Sequence, residues 1–407
     1  MGTRAGDAVR AEVDAVGRAL AAVVTVLPEG PAIAGPLSGT AVAVKDMIDV
    51  AGQPRGNGNP EDMAGPPRTA DASAVRALRS AGADVVALTA LLEYAAGAQH
   101  PDLPEARNPV DPRRTAGGSS GGSAALVGAG AVRSALGTDT GGSVRLPAHY
   151  CAAVGLKPSF GALPLDGVQA LAPSLDHLGV LARDVASAAA VFGALAGRPR
   201  PAPAAGRLRV GVLRGWIEDA RTTPEVAAVV AAAVRRIGAA HDLIEVDAAP
   251  LDALNEVFGD IVLFEAATVH GDALRARPTH FGAPTRRLLE TATAVGEDRY
   301  ASATGDRERL VPVALALLGG LDVLAGPAAP YVAPVESPPI DTPEGEVESV
   351  FSAPANVSGQ PALVLPAGRT ADGLPVGLQL LGAPGGDERL LAVALRIEEV
   401  LGAVTPM

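Results

Sequence analysis

The sequence predicts an α/β protein built on a mixed central sheet with helices on both faces. Three observations carry this expectation. Short apolar runs of strand length recur along the chain, helical periodicities fall between them, and Gly and Pro punctuate the junctions. Apolar residues make up 48% of the 407 and charged residues 19%, a balance that supports a packed core and argues against bulk disorder. Aromatics are only 3%, so that core must be built mainly from Ala, Val and Leu. The 48 Gly and 35 Pro follow no collagen-like period and mark tight turns instead.

Val9, Val13, Val16 and Leu20 repeat at helical spacing, which predicts an amphipathic helix over residues 5–25. Ala41 to Val44 reads as a buried strand with Lys45 at its C-terminal end. A helix over 70–81 ends near Gly82, and Asp84 to Leu88 is a strand. Leu208 to Leu213 and Leu243 to Val246 read as strands around a helix from Pro224 to Ile237, with Pro at its start. Residues 250–320 read as mainly helical. Asp322 to Ala325, Pro361 to Pro366 and Val376 to Leu381 read as strands, and Asp387 to Leu401 as a closing helix. Pro201 to Arg207 is Pro/Ala-rich and reads as a linker, with no further composition break and no fixed-period repeat.

Charge and cysteine usage exclude several classes. Net charge is −12 with no basic stripe, which argues against a nucleic-acid binder. A single cysteine, Cys151, excludes an internal disulfide framework and a multi-cysteine zinc site. Arg4, Asp7, Arg10, Glu12 and Asp14 interrupt any secretory apolar stretch. The longest apolar run, Leu310 to Leu321, is too short to span a bilayer. The expectation is a cytoplasmic protein without membrane or nucleic-acid partners.

The 33 basic residues comprise 31 Arg and two Lys, Lys45 and Lys157. Arg cannot deprotonate in a protein, whereas a buried Lys can be pushed toward neutrality. A Lys that persists in an Arg-dominated chain is a candidate base, set against chance.

Residues 117–123 read Gly-Gly-Ser-Ser-Gly-Gly-Ser and run into an apolar segment, Ala124 to Ala131. Residues 137–147 read Gly-Thr-Asp-Thr-Gly-Gly-Ser-Val-Arg-Leu-Pro. A flexible linker would not run straight into an apolar helix, nor recur as a second Gly-Gly-Ser. Such clusters let backbone N–H groups approach a phosphate or an oxyanion. Neither Lys follows a Gly, so no Walker A loop is present, and the dinucleotide fingerprint is absent from this region. Gly117 to Gly121 formally matches the G-x-S-x-G elbow, but Arg113 to Ala116 makes a poor preceding strand. Val42 and Val154 stand three residues before the two Lys, so the S-x-x-K pattern is missing. A serine nucleophile with a lysine base from elsewhere in the chain remains.

The segment from Gly117 to Gly161 closely resembles the amidase signature, through both Gly-rich stretches and Tyr150-Cys151 to Val154-Gly155-Leu156-Lys157-Pro158. The resemblance extends to Ala43-Val44-Lys45-Asp46, Asp49 to Gly52, Arg107-Asn108-Pro109, Pro354-Ala355-Asn356 and Pro375 to Leu380. It implies the amidase-signature α/β/α fold as one domain over residues 1–407. Within it, 5–25 would be an N-terminal helix, 40–197 the catalytic core, 205–345 a variable and mainly helical insert, and 350–401 closing strands and a helix. It also implies a Ser–cis-Ser–Lys triad. Ser143 would be the nucleophile, Ser119 the bridging serine after a cis peptide, and Lys45 the base. The backbone N–H groups of Thr140, Gly141, Gly142 and Ser143 would form the oxyanion hole. The neighbourhood of Tyr94 to Gln99, with Gly118, would contribute to the substrate pocket.

Asp139 and Arg145 flank the nucleophile and read as loop-fixing hydrogen bonders. Lys157 reads as a structural lysine supporting the Gly-rich loops, Cys151 as a small buried hydrophobe, and Trp216 as a core or surface anchor. His100, His149, His177, His241, His270 and His280 show no ligand spacing, so neither metal nor cofactor is expected.

The leading expectation is a stand-alone amide hydrolase acting on a linear, non-peptide C–N bond of a small molecule. The alternative is the glutaminase subunit of a tRNA-dependent amidotransferase, which the family also contains. Arg55 to Pro60 resembles shorter members such as aryl-acetamide hydrolases. A homodimer is the default assembly.

Overall fold

A computed structural model of the chain describes residues 3–31, 33–338 and 342–402. Its strands are β1 (Val23–Val26), β2 (Ala41–Lys45), β3 (Asp84–Thr89), β4 (Ser134–Asp139), β5 (Val154–Lys157) and β6 (His177–Ala182). They continue as β7 (Arg209–Val212), β8 (Asp242–Glu245), β9 (Val323–Pro327), β10 (Ala362–Arg369) and β11 (Pro375–Leu381). These form one mixed sheet in the order β1-β3-β2-β4-β6-β5-β10-β11-β9-β7-β8. Pairing is parallel along β3-β2-β4 and β9-β7-β8, and antiparallel elsewhere.

Side-chain alternation along the strands builds the two covering layers. Val42, Val44, Leu136, Val180, Leu363 and Leu365 belong to one apolar cluster. Helices Ser73–Ser80, Val185–Ala196, Pro224–Ala240 and Asp387–Leu401 pack their apolar residues into it. The intervening residues Ala43, Ala135, Leu181 and Val364 belong to a second cluster, with helices Thr3–Leu20, Gly121–Gly128 and Arg145–Tyr150. A third cluster surrounds the fully buried Trp216 and gathers helices Asn255–Ala276 and Glu297–Ala316. Residues 250–320 are mainly helical, and the expected strands β7, β8 and β9 complete one end of the sheet.

Two expectations need correction. The N-terminal helix ends at Leu20, not near residue 25, and Val23–Val26 forms the edge strand β1, antiparallel to β3. Three Val and one Thr favour the extended backbone, and Ala21 at φ 50° breaks the helix before them. Pro201–Arg207 is not a free linker: Ala204 is buried, and its N–H donates to the carbonyl of Ala392 on the closing helix.

Parallel pairing of β2 and β4 sends both C-terminal ends to the same edge of the sheet. Lys45 closes β2 and Asp139 closes β4, so the sheet brings the isolated lysine beside the second Gly-rich loop. No helix among the described residues is long and apolar enough to cross a membrane.

Candidate active site

Lys45 is fully buried, with Nζ 2.7 Å from Ser119 Oγ and 2.8 Å from Thr138 Oγ1. No carboxylate lies at ion-pair distance from it among the described residues. Burial pulls the amine down from 10.5 to about 7, against weaker upward pulls from the carboxylates of Asp139 and Asp176. The Gly118–Ser119 peptide is cis. A Cβ on Gly118 would sit 2.2 Å from Leu92 Cδ1, so any larger residue before Ser119 would have to displace the Leu92 side chain.

Ser119 opens onto a cavity that Ser143, Thr140, Gly141 and Gly118 also line. The two Gly-rich loops are tied directly, since the Ser120 N–H donates to the Ser143 carbonyl across 3.2 Å. No acceptor among the described residues takes the backbone N–H of Thr140, Gly141, Gly142 or Ser143. Free donors beside a cavity can serve a ligand oxygen. Gly142 has φ 138°, and a Cβ there would meet Ser352 Oγ at 2.2 Å. That position requires glycine both for its backbone and for its space.

The loop carrying Ser143 is held from beneath by a buried polar network. Arg145 and Asp139 are fully buried, and the guanidinium bonds both carboxylate oxygens, Nη2 to Oδ1 at 2.9 Å and Nε to Oδ2 at 3.1 Å. Arg145 also donates to the Ser352 carbonyl, Gln379 Oε1 and Asn356 Oδ1. Asn356 Nδ2 returns to Asp139 Oδ1 at 2.9 Å, and the Val144 N–H donates to Asp139 Oδ2. Burial alone would raise the Asp139 pKa, but the Arg145 charge and hydrogen bonds hold it well below the usual carboxylate range. Thr140 Oγ1 donates to Asp176 across 2.6 Å, fixing the start of the loop.

Lys157 is equally buried, and Nζ donates to the Pro158 carbonyl next to it. Burial, then the Arg145 charge, pushes it well below its ordinary pKa. Cys151 Sγ donates to the Ala116 carbonyl, and burial raises its thiol pKa.

Tyr94 and Gln99, expected in the substrate pocket, do not line the cavity. Tyr94 has φ 50° and Ala95 φ 59°, and this turn presents Ala95, Ala96 and Gly97 to the cavity instead. The Tyr94 ring packs against His270 and Phe281, and its hydroxyl donates to Asp62. Gly118 does line the cavity. Thr138, Phe258, Ser352 and Glu348 carry no expectation from the sequence. Thr138 lies inside the second Gly-rich segment, which was the available signal. The others come from segments far away in sequence.

Comparison with known proteins places this architecture. The Amidase family model matches residues 27–391. An amidase of Pseudomonas putida is 35% identical over 392 residues, covering 90% of this chain and 82% of that protein. A glutamyl-tRNA(Gln) amidotransferase subunit of Anaeromyxobacter sp. (strain K) is 35% identical over 410 residues, covering 90% of this chain and 83% of that protein. A crystal structure of an amidase superposes with a TM-score of 0.86 at 33% identity, covering 97% of this chain and 96% of that one. The chain belongs to the amidase family and, with it, to the enzymes that act on carbon–nitrogen amide bonds.

Proposed function

We propose that the chain hydrolyses a small-molecule carboxamide through a serine acyl-enzyme, with Ser143 as nucleophile, Ser119 as relay and Lys45 as base. The observation that carries this is the buried Lys45 amine, without an ion-pair partner among the described residues, 2.7 Å from Ser119, which lines the same cavity as Ser143. Neutral Lys45 takes the Ser119 proton as Ser119 takes the proton of Ser143. Ser143 Oγ then bonds to the amide carbon. Free N–H groups among Thr140 to Ser143 receive the oxyanion, and loss of one such donor typically costs roughly 2.7–4 kcal/mol of barrier stabilisation. The proton returns along the relay to the amide nitrogen. The C–N bond breaks, and ammonia or an amine leaves. Water, deprotonated by the same relay, attacks the acyl carbon and releases the carboxylate and Ser143.

Ammonia release by the purified chain from a panel of amides, lost in Ser143→Ala, is the test. A folded enzyme that releases nothing, or a Ser143→Ala variant of full activity, would sink the reading.

A second reading, the glutaminase subunit of a tRNA-dependent amidotransferase, is supported by the Anaeromyxobacter relative. Against it, no Arg or Lys lines the cavity among the described residues. The α-carboxylate of glutamine would be desolvated there without a cation, which is costly. Glutamine turnover appearing only with added partner proteins would favour this second reading.

A further inference from the structure

We propose that Glu348 selects substrates whose acyl portion ends in an ammonium or a comparable strong N–H donor. This rests on the amide-hydrolase reading above and names the substrate class of that same cavity.

Glu348 lines the cavity together with Ser119 and Ser143. It is the sole ionisable side chain to do so among the described residues. The walls around it are otherwise apolar or small, including Leu92, Leu146, Phe258 and Val262. No basic side chain forms an ion pair with it among the described residues. Its hydrogen-bond partner there is the Tyr150 hydroxyl, which donates to Oε1 across 2.9 Å. Tyr331, its neighbour, spends its own hydroxyl on the Glu344 carbonyl.

The position of the carboxyl is fixed. Tyr150 is fully buried, and a Cβ on Gly117 would come within 2.6 Å of its ring. A single tyrosine thus spans from the loop that carries Ser119 to Glu348. From the other side, Glu348 ends the short helix Pro343–Glu348, just before the Ser352–Asn356 segment that grips Arg145 and Asp139. The carboxyl therefore keeps one separation from the reacting serines.

A carboxyl in such a place lacks a cation. Burial pushes it up to about 7, the Tyr150 hydrogen bond opposes this, and the Glu105 charge adds to it. A cationic guest would supply the missing partner and hold the group ionised. An anionic guest would set a second carboxylate against it. A methyl-ended guest would leave Glu348 desolvated and unpaired.

The test measures binding to the Ser143→Ala protein by calorimetry at mildly alkaline pH. The probes are n-alkanamides, ω-aminoalkanamides and ω-carboxyalkanamides in matched chain lengths. At one length or more, the amine-ended amide is expected to bind about tenfold tighter than the methyl-ended one, or better. The carboxylate-ended amide should bind worst. Adding Glu348→Gln, which preserves shape and the acceptor for Tyr150, should collapse the amine-to-methyl ratio toward one. Equal affinities, no binding by the amine-ended series, or a preference that survives Glu348→Gln each overturns the proposal. If the double variant fails to fold, the ranking on the single variant decides alone. Ammonia release by the intact enzyme reports on the hydrolase reading separately, so either can fail without the other.

Discussion

Lys45 Nζ and Ser119 Oγ lie 2.7 Å apart, although 74 residues separate them in the chain. The lysine comes from the end of a strand inside the sheet and the serine from a loop preceding a helix, so the contact is fixed by the sheet on one side and by a glycine packed against Leu92 on the other.

Lys45→Met should remove the proton acceptor while filling nearly the same volume. Turnover is expected to fall by about 10²–10⁴-fold. The melting temperature should hold or rise, because an amine stripped of water is a cost the variant no longer carries. Steady-state kinetics and calorimetry check the two halves together. A large loss of stability would place Lys45 among the structural groups instead.

Activity should rise with pH through an apparent value near the 7 of Lys45 and then level off. Above that value the amine is neutral and accepts a proton; below it the ammonium cannot. The profile of kcat/KM against pH reads this directly, and a Lys45→Met protein should lose that limb.

Arg145→Ala leaves Asp139 buried without its cation. A destabilisation of about 3–5 kcal/mol is expected, measured by denaturant unfolding. Asn356→Ala removes one neutral member of the network and should cost less, about 1–3 kcal/mol.

Gly142→Ala forces a Cβ against Ser352 Oγ and a methyl onto a backbone at φ 138°. The loop must shift, and the N–H groups move with it. A loss of roughly 10²–10³-fold in kcat is expected, with a smaller change in KM. Circular dichroism should show an unchanged fold.

Cys151 should react with a thiol reagent only as the protein unfolds, because it is fully buried with a raised pKa. Labelling rates across denaturant check this. Rapid labelling of the native enzyme would contradict the buried position.

Local signals carried much of the fold into the sequence. Ala41–Val44, Val376–Leu381 and Asp387–Leu401 announce themselves by apolar runs or helical spacing, and all three form as expected. The start of β1 was hidden because Val23 and Val24 continue the apolar content of the preceding helix. The two Gly-rich stretches and the lone lysine pointed to the site. Asp139 and Arg145 are legible as loop-fixing hydrogen bonders, but their distant partners are not, because Arg145, Asn356 and Gln379 span 234 positions and meet only after the sheet assembles. Tyr94 was misplaced for a local reason. That residue sits at a positive φ with its ring against His270 and Phe281, and no spacing rule encodes such a turn.

The sheet order also bears on how such a protein could diversify. The chain leaves after the sixth strand, builds β7, β8 and β9 at the far end, and re-enters beside β5 through β10. Phe258, which lines the cavity and packs its ring against Gly141, belongs to that excursion. Lys45, Ser119 and Ser143 do not. Replacing the excursion in evolution would redraw the part of the wall that holds Phe258, Val262, Leu288 and Glu348, while Leu92, Leu146 and Leu171 would stay beside the proposed relay, so one half of the pocket can drift as the other is inherited with the serines.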